Sequence, residues 1–325
     1  MASTSQSRRL SKPRVSGGTK LSFVPALLRR FADRFRPPDI LVPRQAGRGG
    51  VAKIAVQRLD HRYSNNVAAL QDVNLDIHAG EFVCLLGPSG CGKSTLLYAL
   101  AGHVSPSGGH VSIDGHPVEG PSPQRLLMFQ EAALFPWLTV KQNLTFALRA
   151  KGLSNSECEQ KAHEFIGLVH LEGFENALPH ELSGGMRMRV SLARALAMDP
   201  SVLLMDEPFA PLDAQTRGRM HQLLQSIWMK TRKTVVFVTH DVREALVLGD
   251  RVVVMASRPG RIIQDLEVHL PRPRDPDDET IVRLSRQIRE VLRREEATRE
   301  TPVPLPRGDV SEVPNPLSDG AGVGA

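Results

Sequence analysis

The sequence has few of the residues that mark secreted, membrane-spanning or metal-binding proteins. It holds three cysteines in 325 residues, Cys84, Cys91 and Cys158, and their spacing matches neither a disulfide framework nor a metal site. That usage suits a reducing compartment. The sequence has no run of 18 apolar residues, so we expect no transmembrane helix. The apolar stretch 21–31 is too short and interrupted for a secretory signal.

Positive charge is concentrated at one end of the chain. The formal net charge is +6, yet residues 1–50 hold eleven Lys or Arg and two Asp. The remaining residues hold 30 basic and 33 acidic side chains. The basic character therefore belongs to the N-terminal segment, and we expect no nucleic-acid surface on the folded part. Residues 1–50 are rich in Ser, Arg, Gly and Pro and predict a disordered basic tail. The alternative is that residues 21–35 contact anionic lipid as a weakly amphipathic helix.

A glycine-rich turn between an apolar strand and a helix is the most informative stretch. Residues 87–94 read Gly-Pro-Ser-Gly-Cys-Gly-Lys-Ser and fit G-x-x-x-x-G-K-[ST], the phosphate-binding loop of nucleotide hydrolases. Glycines let backbone N–H groups approach an anion, and the following helix adds its partial positive charge. Lys93 can reach the β- and γ-phosphates, and the Ser94 hydroxyl can hold Mg²⁺.

Apolar strands alternate with helical segments over the middle of the chain. This alternation predicts a mostly parallel, doubly wound sheet, in which ligands gather at the carboxyl ends of the strands. The polar residues that directly follow such strands are Gln130, Asp206, Glu207 and His240. We expect them on the same side of the sheet as the phosphate loop.

Three further segments are predicted to be helical. A helical block covers residues 139–169, and Ser183 begins another helix that runs to about Met198. Residues 279–298 form an amphipathic pattern with Ile281, Leu284 and Ile288 on one stripe. We expect order to begin near residue 51 and a disordered tail over 299–325.

The order of the motifs resembles the nucleotide-binding subunit of an ATP-binding cassette (ABC) transporter over residues 51–270. Leu-Ser-Gly-Gly at 182–185 is the decisive motif, because many other nucleotide hydrolases share the phosphate loop but lack it. The other matching stretches are Tyr63, the loop 87–95, Gln130, residues 202–208, residues 212–213 and residues 239–241.

The resemblance implies a fold and a domain plan. The fold is α/β: a P-loop nucleotide hydrolase core with a mostly parallel sheet, an antiparallel β edge subdomain and an inserted helical subdomain. The ABC ATPase domain covers residues 51–270, with its helical subdomain at about 135–182. A linker and C-terminal amphipathic helix follow at 271–298.

The resemblance also implies roles in ATP binding and hydrolysis with Mg²⁺. Tyr63 would stack on adenine, and Glu207 would act as general base beside His240 and Lys93. Magnesium would be held through Ser94, Gln130 and Asp206. The residues expected to contact nucleotide are Tyr63, Gly87, Pro88, Ser89, Gly90, Cys91, Gly92, Lys93, Ser94, Thr95, Gln130, Ser183, Gly184 and Gly185.

Partners follow from the same resemblance. Residues 183–185 would cap ATP bound by a second copy of the chain, or by a homologous ATPase subunit, in a head-to-tail dimer with Asp213 at the seam. Residues 130–140 and 249–260 resemble the nitrate/sulfonate/taurine branch of bacterial importers. Phe135, Pro136 and Trp137 would then help form a groove for a membrane permease. The expected location is peripheral, on the cytoplasmic face of the inner membrane, with an extracytoplasmic solute-binding protein as an indirect partner and no nucleic acid.

Two residues depart from that branch, and two other functions stay open. Met188 stands where Gln is common, and Ala210-Pro211 stand where Gly-Ala is usual. Pro211 removes a backbone donor near the expected dimer seam. The first alternative is a soluble ABC ATPase that acts on nucleic acid or ribosomes. The second is a scaffold that binds nucleotide without hydrolysis, which Lys93, Glu207 and His240 argue against.

Overall fold

The computed structural model describes residues 40–44, 51–64, 66–257 and 259–300. The tail predicted for residues 1–50 therefore lies outside the described residues except at 40–44, and the tail predicted for 299–325 except at 299 and 300. The described chain folds around two β-sheets with helices packed against them. The predicted α/β class is confirmed.

The larger sheet carries the site and has the strand order β1-β11-β10-β4-β9-β8-β7. Its central strands run parallel to one another. These parallel strands are β4 (Phe82–Leu86), β7 (Arg125–Met128), β8 (Val202–Asp206), β9 (Thr234–Thr239) and β10 (Arg251–Ala256). β4, β8, β9 and β10 are buried along their whole length. Continuous apolar runs of this kind are typical of a sheet covered on both faces.

One edge of the larger sheet is antiparallel. β11 (Arg261–Val268) pairs with β10, and β1 (Leu41–Pro43) pairs with β11 from Leu41 opposite Val268. The prediction that order begins near residue 51 is thus wrong for this segment. Three residues give no periodic signal on their own, and β1 exists because β11 offers it an unpaired edge.

The smaller sheet is antiparallel, with the order β3-β2-β5-β6. Its strands are β2 (Ile54–Arg62), β3 (Ala68–Ile77), β5 (Gly108–Ile113) and β6 (His116–Pro117). In β3 the buried residues Val73, Leu75 and Ile77 alternate with exposed ones, as the sequence predicts for a strand with one covered face.

Three helices in the middle of the chain pack together, and the first two lie within the block predicted to be helical, residues 139–169. They are α2 (Val140–Ala150), α3 (Asn155–Leu168) and α4 (Gly184–Ala197), and α2 and α3 pack together and against α4. Thr139 and Ser154 cap α2 and α3 with reciprocal capping boxes. The preceding helix α1 (Lys93–Ala101) and the following helix α5 (Ala214–Thr231) lie outside this group.

The C-terminal helix packs on a short helix that the sequence did not predict. α6 (Val242–Leu248) contacts α7 (Glu279–Glu300), which buries Ile281, Leu284 and Ile288 as its stripe predicts. No helix within the described ranges is long and apolar enough to cross a membrane.

A buried arginine attaches the smaller sheet to the larger one. Arg251 on β10 is 2% exposed and donates to Glu81, to Asp265 on β11 and to the backbone carbonyl of Asp76 on β3, at 2.6 to 3.2 Å. Burial raises the pKa of Glu81, but Arg251, the His78 N–H and Arg44 together outweigh it, so the net pKa is lowered. Ion pairs with additional hydrogen bonds of this kind are costly to break.

A second buried arginine holds the segment before α7. Arg274 donates to the backbone carbonyls of Leu246, Gly249, Val268 and Leu270. The side-chain amide of Gln225 on α5 pairs with the Arg274 backbone at 2.8 and 3.0 Å. Burial lowers the pKa of Arg274 to about 10.

We predict that Arg274→Met lowers the free energy of unfolding by about 3 kcal/mol, because it leaves several buried carbonyls without a donor. Urea denaturation followed by circular dichroism measures this loss. Arg289→Met, on the exposed side of α7, is the control and should change the stability by less than about 0.5 kcal/mol. Equal losses in the two variants would contradict the role given to Arg274.

Candidate functional site

The predicted phosphate loop links β4 to α1 at the carboxyl edge of the larger sheet. Gly92 has φ +89°, and a Cβ at this position would lie 2.8 Å from the carbonyl oxygen of Ala69. Only glycine fits both the backbone angle and the close contact. Lys93 and Ser94 open α1, so the loop ends at a helix N-terminus with free backbone donors.

The Lys93 ammonium group lies inside its own loop. It donates to the carbonyl oxygens of Gly87 at 2.8 Å and Pro88 at 2.9 Å, and the residue is 5% exposed. Its nearest carboxylate is Glu207, at 3.9 Å. Two carbonyl bonds and one loose ion pair leave this cation with capacity for a stronger anionic partner.

The Asp206 carboxylate at the end of β8 is bound by two hydroxyl groups from α1. Ser94 Oγ donates to Oδ1 at 2.9 Å, and the Tyr98 hydroxyl donates to Oδ2 at 2.8 Å. Burial and this hydrogen bond raise the pKa of Tyr98 to about 12. Ser94 and Asp206 were predicted to act at one magnesium site, and they lie in direct contact. Tyr98 was not predicted.

Glu207 and His240 form a pair at the ends of neighbouring strands. His240 Nδ1 lies 2.9 Å from Glu207 Oε2, and the histidine side chain is 57% exposed. Glu207 has φ +43°, a left-handed backbone angle that is costly for a residue with a Cβ. Asp241 stabilises the turn after β9 by bonding its backbone N–H to Thr239 Oγ1 and capping α6. Strained backbone at a polar strand end is typical of functional sites.

Tyr63 lies beside the helix that follows the phosphate loop. Its hydroxyl is 2.7 Å from Thr95 Oγ1, and the residue is 46% exposed. The ring of His61 contacts it edge-on at 5.0 Å between centroids. A partly exposed aromatic ring fixed at both ends suits stacking on a planar ligand.

Gln130 and Gly184 of the Leu-Ser-Gly-Gly segment line a groove outside the phosphate loop. The groove encloses about 660 Å³ and is lined by Gln130, Gly184, Met188 and Leu212, among others. Ser183 caps α4 by accepting a hydrogen bond from the Met186 N–H. Within the described part of the chain, no hydrogen bond or ion pair joins residues 183–185 to residues 87–95.

Gly185 and Met188 fix the start of α4 against the core. A Cβ at Gly185 would come within 2.4 Å of Thr216 Cγ2 on α5, so a larger residue there would require the Thr216 side chain to move. Met188, the departure noted in the sequence, is 2% exposed and lines the groove.

The loop around Pro211 is held by an arginine that sequence analysis did not identify. Arg217 on α5 donates to the backbone carbonyls of Phe209, Ala210 and Leu212 at 2.7 to 3.4 Å. Because Pro211 has no backbone N–H, this loop has one hydrogen-bond donor fewer, and the Arg217 side chain restrains it instead. Asp213 caps α5, and the backbone N–H of Thr216 lowers its pKa.

A buried histidine and glutamate connect α5 to α6 behind the site. His221 Nε2 lies 2.7 Å from Glu244 Oε1, and each side chain is 7% exposed. His221 also contacts the ring of Phe209, which follows the Glu207-Pro208 turn, at 5.7 Å between centroids. This pair joins the helix after the Asp213 loop to the helix after His240. Sequence reasoning missed it because neither residue belongs to a motif.

An apolar groove lies beside Gln130, between α2, α4 and β7. It encloses about 370 Å³ and includes Phe129, Phe135, Phe146 and Arg194 in its lining. Arg194 lies over the Phe135 ring at 5.4 Å and donates to the backbone carbonyl of Ala133. Trp137 contacts Phe135 and is 71% exposed. Exposed aromatic clusters of this kind mark protein contacts.

The donor set at Asp206 fits a magnesium ion. Ser94 and Asp206 offer hard oxygen ligands, which Mg²⁺ prefers, and it commonly takes one or two carboxylates together with phosphate oxygens. The described residues contain no cluster of three His, Cys, Asp or Glu side chains that would hold a metal without phosphate. The three cysteines are buried and unpaired.

Comparison with known proteins gives consistent results. Residues 70–210 match the family described as ABC transporter. The chain is 48% identical over 206 residues to the nitrate import ATP-binding protein NrtD of Synechocystis sp., covering 63% of this chain and 77% of the relative. It is 48% identical over 205 residues to the taurine import ATP-binding protein TauB of Jannaschia sp., covering 63% and 76%.

A solved structure agrees in fold. The dimeric structure of a post-hydrolysis state of the ATP-binding cassette MJ0796, bound to ADP and Pi, superposes with a TM-score of 0.59 at 33% identity. The match covers 66% of this chain and 98% of that one.

We predict that Glu244→Ala lowers the free energy of unfolding by about 2 kcal/mol, because it leaves the buried His221 ring without its partner. Guanidinium denaturation provides the measurement. Glu290→Ala serves as the matched control, since Glu290 is 46% exposed and makes only surface ion pairs. A loss no larger than in that control would refute the structural role of the pair.

Proposed function

Because this chain belongs to the family of ABC transporter ATP-binding proteins, we propose that it energises the import of a small anion of the nitrate, sulfonate or taurine type. As a member of this family the chain is an ATPase. The observation that carries the proposal is one cluster at the carboxyl ends of β4, β8 and β9. There Ser94 hydrogen-bonds to Asp206, and the next residue, Glu207, pairs with both Lys93 and His240.

ATP binding uses the loop and its flanking aromatic residue. Lys93 releases its hydrogen bonds to the carbonyls of Gly87 and Pro88 and binds the β- and γ-phosphates instead. The backbone N–H groups of residues 87–95 bind the phosphate oxygens. The Tyr63 ring stacks on the adenine while its hydroxyl stays on Thr95. The phosphates gain charge-assisted bonds that neutral carbonyls cannot offer.

Ser94, Gln130 and Asp206 would hold the magnesium ion that accompanies ATP. β7 and β8 pair with Met128 opposite Met205, so Gln130 leaves the sheet beside Asp206 and Glu207. When bound, the ion supplies charge neutralisation at the β- and γ-phosphates.

Hydrolysis depends on positioning one water molecule. Glu207 is the general base for that water, and His240 hydrogen-bonds the γ-phosphate and orients the Glu207 carboxylate. Lys93 stabilises charge on the transferred phosphoryl group from its position 3.9 Å from Glu207. The transition state is loose, so geometry and charge account for most of the rate.

The active assembly is a head-to-tail dimer with a second copy of the chain or a homologous ATPase subunit. Residues 183–185 make no bond to their own phosphate loop, yet they form a capped helix N-terminus suited to an anion. Ser183, Gly184 and Gly185 therefore bind the γ-phosphate held by the partner subunit. Two nucleotides close the dimer, and hydrolysis reopens it.

Transport requires a separate membrane permease. The apolar groove lined by Phe129, Phe135 and Phe146 accepts a helix of that permease beside Gln130, which transmits dimer closure. The protein is then peripheral, on the cytoplasmic face of the membrane, and an extracytoplasmic solute-binding protein delivers the anion. The ATPase domain covers residues 51–270 together with β1, which joins its larger sheet, and the helical subdomain lies at about 135–182.

A permease partner is favoured over nucleic acid or ribosomes by this same groove. Its lining is mostly apolar and aromatic, with Phe129 45% and Phe146 53% exposed and Arg194 as its one basic residue. Co-purification from membranes separates the two functions. A multi-spanning membrane protein is the expected partner, and a ribosomal or nucleic-acid partner in its place would refute import.

We predict that Glu207→Gln keeps ATP binding but slows hydrolysis at least about 100-fold, because the amide cannot accept the proton of the water. Size-exclusion chromatography with ATP should show a stable dimer of the variant. The control Glu290→Gln, on the surface of α7, should hydrolyse ATP like the wild type. A wild-type rate in the Glu207 variant would rule out the general-base role.

We predict that Lys93→Ala weakens ATP affinity more than about tenfold, because the buried ammonium group is lost from the loop. Titration with a fluorescent ATP analogue measures the affinity. Lys161→Ala, an exposed lysine on α3, is the matched control and should bind like the wild type. Unchanged binding by the Lys93 variant would contradict the phosphate-loop assignment.

A further inference from the structure

Tyr98 occupies a position between the proposed magnesium site and the Gln130 loop. It lies one helical turn after Ser94 on α1, so both side chains project from the same face of the helix. The Ser94 hydroxyl donates to Oδ1 of Asp206 and the Tyr98 hydroxyl donates to Oδ2, at 2.9 and 2.8 Å. Both oxygens of the carboxylate are thus held, and rotation of the group requires breaking one of these bonds.

The ring of Tyr98 contacts a different element. Its centroid lies 6.5 Å from that of Phe129, with the ring planes tilted by 56°. Phe129 directly precedes Gln130, is 45% exposed and lines the apolar groove. One side chain therefore contacts Asp206 with its hydroxyl and the segment that carries Gln130 with its ring.

These two contacts have different consequences for magnesium. Asp206 would help to hold the ion, so its contribution would depend on how the carboxylate is oriented. The phenol can fix that orientation by donating to Oδ2, and it does so without occupying a coordination position. Movement of Phe129 would shift the ring and with it the hydroxyl.

We propose that Tyr98 is a positioning residue that holds Asp206 in the orientation needed for Mg²⁺ and couples that orientation to the Phe129–Gln130 loop. The inference rests on the proposed function, since it takes Mg²⁺ with ATP as the ligand. It adds a link from the groove to the metal that runs through a side chain outside every motif of the sequence.

The test is the Mg²⁺ dependence of nucleotide binding in Tyr98→Phe, which removes the hydroxyl and keeps the ring. A fluorescent ATP analogue is titrated in EDTA, and Mg²⁺ is then titrated at a fixed nucleotide concentration. We expect unchanged affinity in EDTA and a half-saturating Mg²⁺ concentration about tenfold higher than in the wild type. An unchanged or lower Mg²⁺ requirement would overturn the positioning role.

The coupling is tested by a double-mutant cycle with Phe129→Ala. This variant should raise the Mg²⁺ requirement when Tyr98 is present and add less than about twofold to Tyr98→Phe. Independent, additive effects would overturn the coupling. Because Phe129→Ala keeps the hydroxyl, it also tests the inference should the Tyr98 variant be less stable.

Two controls separate the outcomes. Ser285→Ala removes a buried hydroxyl on α7, far along the chain from the site, and should leave the Mg²⁺ requirement unchanged. Thermal unfolding without nucleotide shows whether Tyr98→Phe is folded. A wild-type protein that binds no ATP would contradict the proposed function. If the wild type binds nucleotide in a Mg²⁺-dependent way and Tyr98→Phe has the same Mg²⁺ requirement, only this inference is contradicted.

Discussion

The register of three parallel strands is the constraint on which the site depends. β4 and β9 pair with Leu86 opposite Thr239, and β8 and β9 pair with Asp206 opposite Val238. The residues that leave the sheet next are the phosphate loop, Glu207 and His240, and they emerge at one level because the strands end together. A slip of one residue would turn the side chains at these ends to the opposite face. All three strands are buried along their whole length, so this register is held inside the core.

The residues at strand ends could be predicted because position in the sequence alone places them. An apolar run shows where a strand ends, and a polar residue after it, such as Asp206 or His240, must lie at the edge of the sheet. Contacts between helix faces give no such signal. Tyr98, Arg217 and the His221–Glu244 pair were missed because each depends on which element packs against the helix that carries it.

The short elements were missed for a related reason. α6 has seven residues and β1 has three, lengths at which periodicity cannot be distinguished from chance. β11 is partly exposed along most of its length and lacks the apolar run that revealed its neighbours. Long-range partners determine these segments. β11 pairs with β10, and the Arg251 and Arg274 side chains donate to Asp265 and to the backbone carbonyl of Val268 within it. Hydrogen bonds from buried arginine side chains therefore stabilise the parts of the fold that the hydrophobic pattern does not predict.

The left-handed backbone angle of Glu207 affects which variants a laboratory screen for stability would select. Glycine or asparagine would adopt φ +43° at lower cost than glutamate, so either substitution should make the folded chain more stable. Both would also remove the carboxylate beside His240. A thermostability screen without an activity assay would enrich inactive variants at this position, and consensus design should keep residue 207 fixed.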